Sequence, residues 1–158
     1  MSIARTVERE ICAAMRDVIA IPASETPADA EWIHGVRSWC KPIAANGTAA
    51  GEAFPQISVA VGPKYYTNVE ATWAVDVNIS VKTHIDDDPD GSRLADIEDA
   101  VEDFADGLQD NAAFLAGVRA DYPSFILGAF FCDTAQSPPS AIDATRVLSL
   151  SFVLHFAL

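Results

Sequence analysis

Hydrophobic and polar positions alternate almost without a break from Val69 to Ile85. Val69, Ala71, Trp73, Val75, Val77, Ile79, Val81, Thr83 and Ile85 share one parity, and Glu70, Thr72, Asp76, Asn78, Ser80, Lys82 and His84 take the other. A period of two marks an extended strand with one dry face and one wet face. At roughly 3.3 Å per residue the run exceeds about 50 Å if straight, against about five or six residues in a typical strand. The pattern therefore predicts a strand that bends, bulges or projects. A projecting ribbon leaves an apolar face and unpaired backbone groups for a partner to cover, so the first expectation is an assembly subunit with a long projecting β-hairpin.

The remaining elements follow from the same kind of pattern. Ile3, Val7, Ile11, Met15 and Val18 recur every three or four positions between charged residues, which predicts an amphipathic helix from residue 2 to about 20, ended by Pro22. Residues 22–53 read as a long irregular connection broken by Pro27, Gly35, Pro42, Gly47 and Gly51, with Trp32 and Trp39 as its large apolar side chains. Ile57, Val59 and Val61 make a short first strand after Pro55, and Gly62 and Pro63 stop it. After the acidic turn at residues 86–91 a second helix turns Leu94, Ile97, Val101, Phe104, Ala105 and Leu108 to one side. Asn111 to Tyr122 reads as a short helical continuation. The continuous apolar run from Phe125 to Cys132 predicts a central strand buried on both faces. A turn at Ser137–Ser140 leads to a final alternating strand with Leu148, Leu150, Phe152, Leu154, Phe156 and Leu158 on one face. The order helix, strand, strand, helix, strand, strand predicts a single α+β domain over residues 1–158. In it, two helices pack on a four-stranded, mostly antiparallel or mixed sheet in two layers.

Charge and cysteine usage narrow the function. The formal net charge of −13 excludes a clamp that holds nucleic acid by neutralising phosphates, since that needs clustered Lys and Arg. Cys12, Cys40 and Cys132 are an odd set without CxxC spacing, which fits reduced thiols better than a disulfide framework or zinc knuckle. Charged residues interrupt every apolar stretch near the N-terminus, so neither a signal peptide nor a membrane span is expected.

The acidic turn carries the nearest approach to a chemical motif. Asp86, Asp88, Asp90 and Gly91 match the first, third, fifth and sixth positions of a calcium loop, but the closing twelfth position is Ile97 and a strand leads into the loop. A turn with a helix N-cap is the better reading, with Asp86, Asp88 and Asp90 kept as weak candidate metal ligands. Residues 86–110 hold eleven carboxylates and one basic side chain, Arg93: a solvated helix face, or a surface lining a channel or meeting a basic partner. His34, His84 and His155 stand apart from any metal or triad motif, and nothing points to an enzyme or a cofactor.

The N-terminal amphipathic helix, the Ala/Gly/Trp-rich connection, the strand opening Phe54-Pro55-Gln56-Ile57-Ser58-Val59, the long alternating second strand, the acidic turn into Leu94–Leu108 and the two closing strands together resemble the tail terminator (tail completion) proteins of long-tailed bacteriophages. The resemblance spans most of the chain and implies a structural virion protein assembled in the host cytoplasm. Such a protein forms a homo-hexameric ring, caps the tail tube to stop its polymerisation, and joins the tail to a neck or head-completion protein while DNA passes through the lumen. Two rival readings are another neck or head–tail connector subunit, and a small ligand- or divalent-cation-binding α+β module. On the leading reading Tyr65, Tyr66, Trp73 and Val75 are expected at the subunit contact, and Asp76, Asp86, Asp87 and Asp88 at an acidic lumen or interface.

Overall fold

A computed structural model describes residues 1–18, 56–68, 72–86, 88–128, 135–136, 140–142 and 144–158. The connection expected over residues 22–53, residues 69–71 of the long strand, Asp87, and residues 129–132 of the apolar run lie outside these.

Helix α1 (Ile3–Val18) begins at Ser2, whose hydroxyl accepts the Arg5 N–H at 3.4 Å, the expected role of a serine N-cap. It buries Ile3, Val7, Ile11 and Met15. Strands β1 (Gln56–Val61), β2 (Tyr65–Tyr66) and β3 (Trp73–His84) follow, then α2 (Ser92–Asp106), a 3₁₀ turn at Leu108–Asp110, and α3 (Ala112–Asp121). Asn111 caps α3, its side-chain oxygen accepting the Phe114 N–H at 3.0 Å. Strands β4 (Ile126–Leu127), β5 (Ala135–Gln136), β6 (Ser140–Ile142) and β7 (Thr145–Ala157) complete the order. The fold is α+β, with three α-helices and a curled sheet whose described ladders are all antiparallel.

The sheet runs β1-β3-β7, and β4, β5 and β6 succeed one another along the far edge of β7. Cross-strand register explains the core. Val75, Val77, Ile79 and Val81 of β3 lie opposite Leu154, Phe152, Leu150 and Leu148 of β7, and Ile57 and Val59 of β1 lie opposite Val81 and Ile79. Paired residues point to the same side, so three strands present one apolar face. The helices cover it with Val7, Ile11, Leu94, Ile97, Val101, Phe104, Phe114 and Val118.

Four sequence expectations are corrected. The long strand does not project within the described residues: β3 pairs with β7 through all twelve of its positions, from Trp73↔Phe156 to His84↔Thr145. An equally long partner accommodates its length. The opposite parity is not uniformly wet, because Lys82 is buried to 1 % exposure; alternation reports a difference between faces and leaves open whether the second face is covered. The Phe125–Cys132 run does not form a central strand in its described part. Strand β4 holds only two residues, sits on the outer edge, and leaves Ile126 62 % exposed, while β7 takes the interior position. Val75 is fully buried against Leu154 and has no surface to offer a neighbour.

Candidate assembly surface

The chain between β1 and β3 folds back on itself. Gly62 closes β1 by donating its N–H to the Asp76 carbonyl at 2.9 Å, and β2 pairs Tyr65 with Ala74 and Tyr66 with Trp73. The Thr67 N–H and hydroxyl both donate to the Thr72 carbonyl, at 2.9 and 3.1 Å. These contacts hold residues 62–68 against the start of β3. Tyr66 meets the Trp73 ring edge-on, with centroids 5.5 Å apart and planes at 80°, and the Lys64 ammonium stands 4.3 Å above the Trp73 ring centroid. Both arrangements suit the ring quadrupole. On the other side of the sheet the Tyr65 hydroxyl donates to Asp76 Oδ1 at 2.9 Å. Burial first, and then the Asp76 carboxylate, raise the Tyr65 phenol above its ordinary pKa.

Register extends this cluster across the sheet. Tyr66, Trp73, Phe156 and Leu127 lie in one row over β2, β3, β7 and β4, and Ile126 pairs with Ala157 beside it. Met1 belongs to the same end: its carbonyl accepts the Tyr122 hydroxyl at 2.7 Å, and its side chain helps line a shallow groove of about 660 Å³ with Arg5, Glu8, Arg9, Val61 and Pro63. All the exposed large hydrophobic side chains among the described residues, namely Met1, Tyr65, Tyr66, Ile126 and Leu158, therefore gather at the end where β3 begins and β7 finishes. They are divided between the two faces of the sheet: Tyr66, opposite Trp73, lies on the core side, and Tyr65, opposite Ala74, and Ile126, opposite Ala157, lie on the other, so this end is apolar on both faces and is a candidate interaction surface.

Charges of both signs stand at this end. Arg5 and Lys64 are exposed on the groove and beside β2. Arg9 is engaged, bonding Glu10 at 2.7 Å and Asp121 at 3.0 Å, and the Thr6 hydroxyl joins Asp121 at 3.1 Å. The Thr6 hydroxyl first, and then the Arg9 guanidinium, hold the Asp121 carboxyl below its ordinary range. This contact fastens α1 to the C-terminal end of α3. Glu8 shifts the opposite way: burial raises its pKa, against the opposing pull of Arg5 and the Val61 N–H.

The acidic turn lies at the opposite end of β3, and its carboxylates diverge. Asp88 is 1 % exposed. Its Oδ1 accepts the Arg93 N–H at 3.0 Å, and its Oδ2 accepts the Leu94 N–H at 3.1 Å and the Thr83 hydroxyl at 2.9 Å. Arg93 and Leu94 are the second and third residues of α2, so Asp88 caps the helix from three residues ahead of Gly91, the residue at the N-cap position. Arg146 clamps the same turn, donating to the Asp88 carbonyl at 3.0 Å and the Pro89 carbonyl at 2.8 Å. Asp90 accepts the Ser92 N–H at 3.1 Å and hydroxyl at 2.7 Å. Asp86 points outward, its N–H donating to His84 Nδ1 at 3.1 Å and its carboxylate standing 3.6 Å from the same nitrogen. Among the described residues no group of three or more His, Cys, Asp and Glu side chains converges as metal ligands. The calcium-like spacing is a capped turn.

From that turn α2 carries five exposed aspartates, Asp96, Asp99, Asp103, Asp106 and Asp110, on one stripe that continues into the 3₁₀ turn. Spacings of three and four place them side by side, and each neighbouring like-charge pair costs a helix about 0.2–0.5 kcal/mol. Asp103 and Asp106 also meet the negative end of the helix dipole, where no basic residue stands.

Of the residues expected at a contact, Tyr65 and Tyr66 are exposed, Trp73 is half-buried between Tyr66 and Lys64, and Val75 is core. Of the expected acids, Asp76 is tied to Tyr65, Asp86 is exposed, and Asp88 is committed to its cap. Sequence reasoning missed Met1, Ile126, Leu158, Arg5 and Lys64, because only the register brings them to one end. No helix among the described residues is long and apolar enough to cross a membrane. No protein-family model and no curated protein matches the chain.

Proposed function

We propose that the protein is a structural virion subunit that acts by shape: a tail terminator that forms a homo-hexameric ring, caps the tail tube, stops its polymerisation and offers the ring's other face to the neck. The observation that carries this reading is the grouping of Met1, Tyr65, Tyr66, Ile126 and Leu158 at one end of the domain. A subunit that assembles through a dedicated surface needs such a patch, and a closed ring needs two different complementary patches on each copy. The order of elements seen in the sequence supports the same assignment. With a net charge of −13, an acidic lumen offers passing DNA few cations, so phosphates slide by without being held. The protein carries no catalytic step or cofactor in this role, and its place is the tail–neck junction of a particle assembled in the host cytoplasm.

The test is to add the purified chain to polymerising tail tube protein and measure tube length by electron microscopy. Capping gives short tubes of uniform maximum length with extra density at one end. Tyr66→Asp combined with Ile126→Asp abolishes the effect while leaving the circular dichroism spectrum and Tm close to wild type. Tubes that lengthen undisturbed in the presence of excess protein overturn the assignment.

A further inference from the structure

We draw no further inference here: the strongest candidate, the open groove on the face of the sheet opposite the helices, lined by Ala60 of β1, Asp76 and Asn78 of β3 and Ser151 and Val153 of β7, is an unpartnered sheet face, and nothing among the described residues shows what covers it.

Discussion

Replacing Asp88 by alanine tests whether the acidic turn is a structural joint. The substitution removes one buried carboxylate and three hydrogen bonds: those from the N–H groups of Arg93 and Leu94, which open α2, and that from the Thr83 hydroxyl of β3. Loss of an N-cap costs about 1–2 kcal/mol, and a buried hydroxyl stripped of its acceptor costs about 1–3 kcal/mol. Thr83 is itself 1 % exposed, so water does not replace the lost oxygen. The Arg146 clamp grips main-chain carbonyls and survives the change, which keeps the damage local and the total near 3 kcal/mol. Urea unfolding followed by tryptophan fluorescence and circular dichroism measures it; with a slope of about 2 kcal/mol/M the midpoint falls by roughly 1.5 M. Asp88→Asn keeps one acceptor oxygen and loses less. In the double-mutant cycle, Thr83→Val costs less in the Asp88→Ala background than in wild type, because the orphaned hydroxyl is gone. A loss below about 1 kcal/mol for Asp88→Ala, or strict additivity in the cycle, refutes the capping argument.

Further outcomes are expected elsewhere. Ala144, in the tight β6–β7 turn, holds φ at 61°, so Ala144→Gly should stabilise the protein by about 0.5–1 kcal/mol after the entropy cost of glycine, read as a rise in Tm. Gly91 holds φ at 78° with only ordinary contacts around a virtual methyl group, so Gly91→Ala should cost about 1 kcal/mol by the same measurement. The Asp121 carboxyl is held low by Thr6 and Arg9, so its folded pKa lies below its unfolded one. Its stabilisation is complete above the ordinary carboxylate range and is lost as pH falls through the depressed value; the gap between wild type and Asp121→Asn should therefore close in acid. Glu8 has the opposite sign. Its raised pKa means stability is lost as pH climbs from the ordinary carboxylate range through the folded value, so Glu8→Gln should gain stability at neutral pH and none in acid.

Helix faces were legible from spacing alone. Ile3, Val7, Ile11 and Met15, and likewise Leu94, Ile97, Val101 and Phe104, are the buried residues their periodicity names. The even positions of β7 from Leu148 to Phe156 are equally plain. Position within the sheet was not legible, because an unbroken apolar run reports hydrophobicity and says nothing about neighbours: Ile126 and Leu127 entered the edge, and the alternating β7 took the interior. The same limit hid the burial of Lys82. The candidate surface was half legible. Tyr65 and Tyr66 announce themselves beside a Gly-Pro stop, but joining them to Ile126 and Leu158 requires the register of β3 on β7. The acidic turn shows the reverse case, since its spacing resembles a known ion loop while its hydrogen bonds are spent on the helix.

The place of β7 between β3 and the outer strands also dictates how the molecule must be made. During synthesis β3 is finished with His84 and its main partner begins only at Thr145, a delay of on the order of 3–12 s at about 5–20 residues per second. Throughout that interval β1 and β2 are present, but the edge of β3 that faces β7 has no mate of its own. Nascent chains crowded on one message are thus given time to pair wrongly with each other, and yield in the cell should depend on translation speed between residues 84 and 145 more than on the final stability of the fold.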